Sequence, residues 1–161
     1  MIKRTLYLLS VALVMISAGI AFSHIIHFSG KGALNPGVFL NVQQKLYENT
    51  GIAVGVVQFG AIITLLVSLV IMPSHSTLRP FFVIACAAMI CMAGIWIFKI
   101  NPSVLTLNSI LSTKTFPEIV DFRKQLRIWH GLRGIAGLAG TIALAYAFVP
   151  GTKVEKELQA N

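Results

Sequence analysis

The chain has 161 residues, 56% of them hydrophobic and only 11% charged, with a mean hydropathy of +0.81, whereas a water-soluble domain carries about a quarter of its residues as Asp, Glu, Lys and Arg. This composition excludes an ordinary soluble domain. The net charge of +8 resides at the ends of apolar runs and between them, where lysine and arginine snorkel towards anionic headgroups; no alternation of basic and base-stacking aromatic residues points to nucleic acid. Runs of about 20 apolar residues lie at 5–28, 51–72, 81–100 and 128–149 and nearly exhaust the length. The expectation is one all-α domain, an integral membrane four-helix bundle whose first partner is the lipid bilayer.

Met1-Ile2-Lys3-Arg4 and the apolar run behind it resemble a secretory signal, with small residues between Ala18 and Ser23. The run is long for a signal and reads as a retained first span. Its last turn carries His24 and His27 at i and i+3, on one face, either as interfacial histidines or as a ligand or base pair at the bundle mouth. Gly30-Lys31-Gly32 reads as a turn. Asn35-Pro36 is a helix-start signal, and Val38, Phe39, Val42 and Leu46 recur at helical spacing, predicting a short interfacial helix over about 36–48. Its Gln43 and Gln44 face headgroups or the bundle mouth, and Tyr47 suits an aromatic belt.

The second span opens with Gly51 and Gly55 at a spacing that lets helix backbones approach, and it contains Gln58, which needs an inter-helix partner in lipid. The brief connection Pro73 to Pro80 makes the second and third spans antiparallel neighbours; His75 and Arg79 in it read as solvated. Cys86 and Cys91, five positions apart, lie at different angles round the third span and read as small packing residues rather than a disulfide or metal pair. Trp96 and Phe98 fit an interfacial belt, Lys99 snorkels, and Asn101-Pro102 stops the helix. After a mixed segment, Ser103 to Lys114, Thr115-Phe116-Pro117-Glu118 reads as a capping box. It starts a long helix over 117–149 that Val149-Pro150-Gly151 ends, leaving a polar tail.

The most patterned stretch lies in this last helix. At about 100° per residue, Trp129, His130, Arg133, Gly134, Gly137, Gly140 and Thr141 share one side, while Leu132, Ile135, Leu138 and Ile142 take the other. In a membrane the oily side faces lipid and the polar and small side faces other helices, so His130 and Arg133 become candidates for an interior site.

Four spans put both termini on one side. The basic pair Lys3 and Arg4 abuts the first span directly and favours cytoplasmic termini in a bacterial inner membrane, although eight basic residues fall on the opposite side against five on this one. With this topology His24, His27, Lys99, Asn101, Trp129, His130 and Arg133 meet at one membrane face, suggesting a pocket floored by the glycine ladder and open to lipid. No acidic residue lies in the spans. His24, His27 and His130 could hold copper, zinc or iron, and His24 or His27 with His130 could ligate haem between helices; neither follows a specific motif. Nucleophilic triads, phosphate loops and paired carboxylates are absent.

The pattern His24-Ile25-Ile26-His27-Phe28-Ser29-Gly30-Lys31, then Phe39 to Tyr47 with its Gln43-Gln44, then Asn101-Pro102, then Arg127-Ile128-Trp129 before a polar span start, resembles the small four-span membrane family named for fungal anthrone oxygenases. The resemblance covers nearly the whole chain. This chain departs at two points: His27 stands where relatives tend to have an acidic residue, and Arg133 where a histidine is expected a turn after the tryptophan, with His130 beside the tryptophan instead. The resemblance implies a cofactor-free oxygenase or related oxidoreductase acting on a lipophilic aromatic. A neutral histidine, His130 or His24, would remove a carbon-bound proton. Arg133 or Lys99 would stabilise the enolate, Trp129 would stack on the ring, and His27, Asn101, Gln43 and Tyr47 would complete the binding surface. The competing class is non-catalytic, a small subunit or ligand carrier whose glycine faces pack against copies of itself or a larger membrane complex.

Overall fold

The computed structural model describes residues 2–105 and 116–148, and among them every regular element is helical. Helix α1 spans Ile2–Gly32 and α2 spans Pro36–Ile71. Helix α3 (Arg79–Ile95) leads through a π-helical turn at Trp96–Ile100 into a short α4 (Asn101–Leu105), and α5 spans Phe116–Ala147. The expected stop at Val149 to Gly151, the tail, Thr115 of the capping box, the segment 106–114 and the side chain of Tyr47 lie outside the described residues.

Three stretches are long and apolar enough to cross a membrane: Ile2–Phe28, Gly51–Ile71 and Arg79–Ser103. Helix α5 is long enough but carries His130, Arg133 and four glycines, Gly131, Gly134, Gly137 and Gly140, which lower its apolarity. The long helices pack in a ring, α1 on α2, α2 on α3, α3 on α5 and α5 on α1, with little direct contact across the diagonal from α2 to α5. Tyr7, Val14, Ala61, Leu65, Phe82, Met89 and Leu144 belong to the main core. A second cluster, Phe28, Phe39, Leu40, Ile100 and Leu126, closes the end of the ring where α1 finishes and α2 begins.

The two-sided pattern of α5 holds in three dimensions. His130, Arg133, Gly134, Gly137 and Gly140 are buried, and Leu132, Ile135, Leu138 and Ile142 are exposed. A Cβ on Gly134 would collide with Ile25 of α1. One on Gly137 would lie 3.0 Å from Met92 Sδ and 3.2 Å from the Ala18 backbone, and one on Gly140 would lie 3.1 Å from Ala88 Cβ. The ladder is therefore consumed by close packing against α1 and α3, and the outer surface is oily on all four helices, compatible with a lipid bilayer.

Four local expectations are corrected. The interfacial helix over 36–48 is not separate: Asn35 caps Val38 N–H at 2.9 Å as expected, but α2 then runs unbroken for 36 residues, because nothing between Glu48 and Gly55 removes a backbone donor. Gly30-Lys31-Gly32 is the last turn of α1 rather than a loop. Asn101-Pro102 does not stop the third helix. The chain widens into the π turn, in which Asn101 N–H reaches the Trp96 carbonyl, so that Pro102 sits at the start of α4, where a missing donor costs little. Arg79 is not merely solvated, since its Nη1 donates to the carbonyls of Leu69 and Met72 at 3.3 and 3.0 Å and caps α2.

Candidate functional site

Polar side chains from α1, α2 and α5 meet a backbone carbonyl of α3 inside the ring, one turn or two below the second apolar cluster. From α5, Arg133 reaches across the diagonal and donates Nη2 to Gln58 Oε1 at 2.7 Å; Gln58 in turn donates Nε2 to the Met89 carbonyl of α3 at 3.4 Å. Arg133 and Gln58 are 1% and 2% exposed, so this hydrogen-bonded bridge replaces the apolar contact that α2 and α5 lack. One turn before Arg133, His130 is equally buried and stacks on His24 of α1, ring centroids 4.7 Å apart with planes inclined by 28°. Phe28 flanks His130 at 6.2 Å and Phe39 lies 6.2 Å from Phe28, so the imidazole pair has an aromatic roof.

His24 is the member of this cluster that reaches open space. A groove of about 470 Å³ runs between α1 and α2, with Ser23, His24, His27 and Lys31 on one wall and Val54 and Val57 on the other. These α1 residues form a stripe along one helix face, progressively more polar towards the C-terminal end. Lys31 Nζ donates to the buried Gln43 Oε1 at 3.4 Å, and burial pushes the Lys31 ammonium below the ordinary lysine pKa. Arg123 of α5 donates Nη2 to the carbonyls of Lys31, Gly32 and Leu34 at 2.9, 3.0 and 2.8 Å, and its guanidinium lies 4.5 Å above the Phe39 ring. It satisfies the orphan carbonyls at the α1 terminus. A second groove, about 230 Å³, lies between α1 and α5 beside Gly134 and is lined by apolar residues and Thr141.

The residues expected to converge do so in part. His24, His130 and Arg133 share one interior. Trp129 is half-buried and lies under the Lys99 ammonium, 5.1 Å from its ring centroid, so these two pair with one another at the α3–α5 seam and are not walls of the groove. Asn101 is half-buried at the start of α4, also off the groove. His27 is exposed and lines it, and Gln43 acts at its mouth through Lys31. The pocket is not floored by the glycine ladder, because Ala18, Ile25, Ala88 and Met92 fill that space. Gly51 has open space beside it and Gly55 meets only the edge of Trp96 at 4.0 Å, so the small residues at the start of the second span do not bring two backbones together.

Three contributors were missed or undervalued by pattern. Lys31 is hidden by the two glycines that made it look like a turn residue. Arg123 sits among other charged residues at the polar start of α5, where the sequence gives it no partner. Gln58 signals its importance as the one amide within the apolar run 51–72, but its partner Arg133 is 75 positions away.

Among the described residues no three His, Cys, Asp or Glu side chains are grouped to hold a metal ion. His24 and His130 lie ring against ring, whereas ligation of a haem from both sides would set them apart with a macrocycle between. Cys86 is buried and Cys91 exposed, both as free thiols. What the site does offer is an imidazole at the wall of an apolar groove, a second imidazole behind it, and a cation two turns along. Compared with known protein families, with curated proteins and with solved structures, the chain finds no match.

Proposed function

We propose that this chain is an integral membrane protein of four spans, with cytoplasmic termini, and that it acts as a cofactor-independent oxygenase on a lipophilic aromatic carrying an acidic carbon-bound proton. One observation carries the reading: His24 lines an apolar groove while stacking on a buried second imidazole. A base in such a place is screened from water and close to a second proton acceptor. None of the acidic residues falls within the four apolar runs.

His24 removes a proton from the activated methylene, and the electron pair left on carbon delocalises into the adjoining carbonyl as an enolate. Lys31, the groove's cation, lies two turns further along the same wall. The carbanion passes an electron to dioxygen, and the two radicals combine to form the carbon–oxygen bond. The peroxide anion takes back the proton held on His24. Loss of the second carbon-bound hydrogen as a proton, with cleavage of the oxygen–oxygen bond, leaves a carbonyl and water. A methylene and dioxygen thus become a carbonyl and water with no external reductant. Arg133 is bonded to Gln58 and is not a groove wall, so the stabilising role expected of it is not part of this proposal.

The test is turnover in lipid nanodiscs. Anthrone supplied to the purified protein should consume oxygen and yield anthraquinone faster than in protein-free discs, with the gain lost in His24→Ala. Equal rates with and without protein would overturn the reading, as would a Soret band or a stoichiometric metal in an active preparation. For the non-catalytic alternative, the ladder Gly134, Gly137 and Gly140 is already packed on α1 and α3 of the same chain, while Gly51 and Gly131 have open space beside them.

A further inference from the structure

The polarity of the groove runs in one direction, and this narrows what it accepts. From Ile20 through Ser23, His24 and His27 to Lys31, its α1 wall passes from hydrocarbon to imidazole to ammonium over eleven residues, about 16 Å of helix rise. The facing α2 wall, Ala53, Val54 and Val57, is apolar throughout. Lys31 lies beyond the apolar stretch Ile2–Phe28 that is fit to cross a membrane, so the cationic end of the groove is at headgroup level and the rest lies in the hydrocarbon.

Among the described residues, no carboxylate is paired with the charge at that end. A helix C-terminus ordinarily presents partial negative charge that would absorb a neighbouring lysine. Here Arg123 occupies the carbonyls of Lys31, Gly32 and Leu34, which removes that option and adds a second cation. Gln43, which accepts from Lys31 Nζ, is a neutral amide at 3.4 Å that uses one of three ammonium donors. Among the described residues, the polar groups nearest Lys31 are Gln43 of α2, Arg123 of α5, and His24 and His27 of its own helix.

Resting on the oxygenase reading of the same groove, we propose that its substrate is an amphiphilic monoanion: a carboxylate or phenolate head on Lys31, an apolar body along Ile20, Val54 and Val57, and the reacting carbon at His24. His24 and Lys31 are seven residues apart, so the acidic group and the carbon that loses its proton are separated by about 10 Å, the span of two to three fused rings. Lys31 then determines specificity, and His24 acts on what Lys31 has positioned.

Anthracene-2-carboxylate and its methyl ester provide the probe pair, titrated by fluorescence against the full chain in nanodiscs of zwitterionic lipid, with empty discs as background. A charged hydrogen bond of ordinary strength predicts that the carboxylate binds about tenfold more tightly than the ester. Lys31→Gln should remove that preference while leaving ester binding unchanged, and Lys31→Arg should restore it. Equal binding of the two probes to the native chain, or a preference that survives Lys31→Gln, overturns the proposal. Displacement of the carboxylate by phosphatidylglycerol at comparable concentration also overturns it, by marking the site as one for a resident anionic lipid. A Lys31-dependent preference without oxygen uptake by anthrone would leave the anion site standing and defeat the oxygenase reading; oxygen uptake without any preference would do the reverse.

Discussion

The two ends of this bundle solve the same packing problem with different chemistry. At the end formed by the start of α1, polar groups are few and locally settled: Ser10 Oγ donates to the Leu6 carbonyl at 2.9 Å and lies 3.1 Å from Ser68 Oγ, and Tyr7 packs edge-on against Phe82 at 5.4 Å. At the other end, α1, α2 and α5 each contribute a large polar or titratable side chain to one interior, α3 adds the Met89 carbonyl, and a groove opens beside it. Hydroxyls at the first end cost little because each can bond its own helix. Nothing in the packing of α2 against α5 demands a guanidinium and two imidazoles, so the second end carries polarity that stability alone does not explain.

That difference orders the expected effects of substitution. The largest is on turnover, where His24→Ala should lower the rate of anthrone oxidation by about 10²–10⁴-fold, the usual contribution of a positioned general base, while Ser10→Ala leaves the rate unchanged. Next is overpacking. Gly137→Val should lower stability by about 1–3 kcal/mol, since the new carbons meet Met92 and the Ala18 backbone; Gly131→Ala, into open space, should not. Thermal unfolding in detergent reads both.

Smaller effects sharpen the comparison further. Gln58→Leu leaves Arg133 Nη2 without its amide acceptor and should cost about 1–3 kcal/mol. A cycle with Arg133→Met should give a coupling that Ser10→Ala with Ser68→Ala does not approach, because inter-helix hydroxyl bonds in membranes average about 0.6 kcal/mol. Arg123→Ala and Arg79→Ala each remove a guanidinium from a helix C-terminus and should cost about 0.3–1 kcal/mol. Arg123→Ala should also weaken carboxylate binding at Lys31, an effect with no counterpart at Arg79.

Much of this arrangement is legible in the chain itself. The three apolar helices and the inward side of α5 follow from periodicity, and the alternation of spans brings His24 and His130 to the same end, where their rings stack. Where the groove lies does not follow, because it depends on which neighbour fills the space beside the glycines. Ile25 and Met92 fill it from α1 and α3, and the opening shifts to the α1–α2 seam. The π turn at Trp96–Ile100 is equally hidden, since proline in an apolar run announces a break but not the wider turn that avoids one. Arg79 and Arg123 look like surface charge until the carbonyls they cap, seven and ninety-two positions away, are in place.

Proton removal by His24 can be separated from everything that follows it. Under anaerobic conditions in deuterium oxide, anthrone should exchange its methylene hydrogens faster with the native chain in nanodiscs than with empty discs, and His24→Ala should return the rate to background. Exchange at the background rate with the native chain, or undiminished exchange in the variant, would contradict the assignment of His24 as the base.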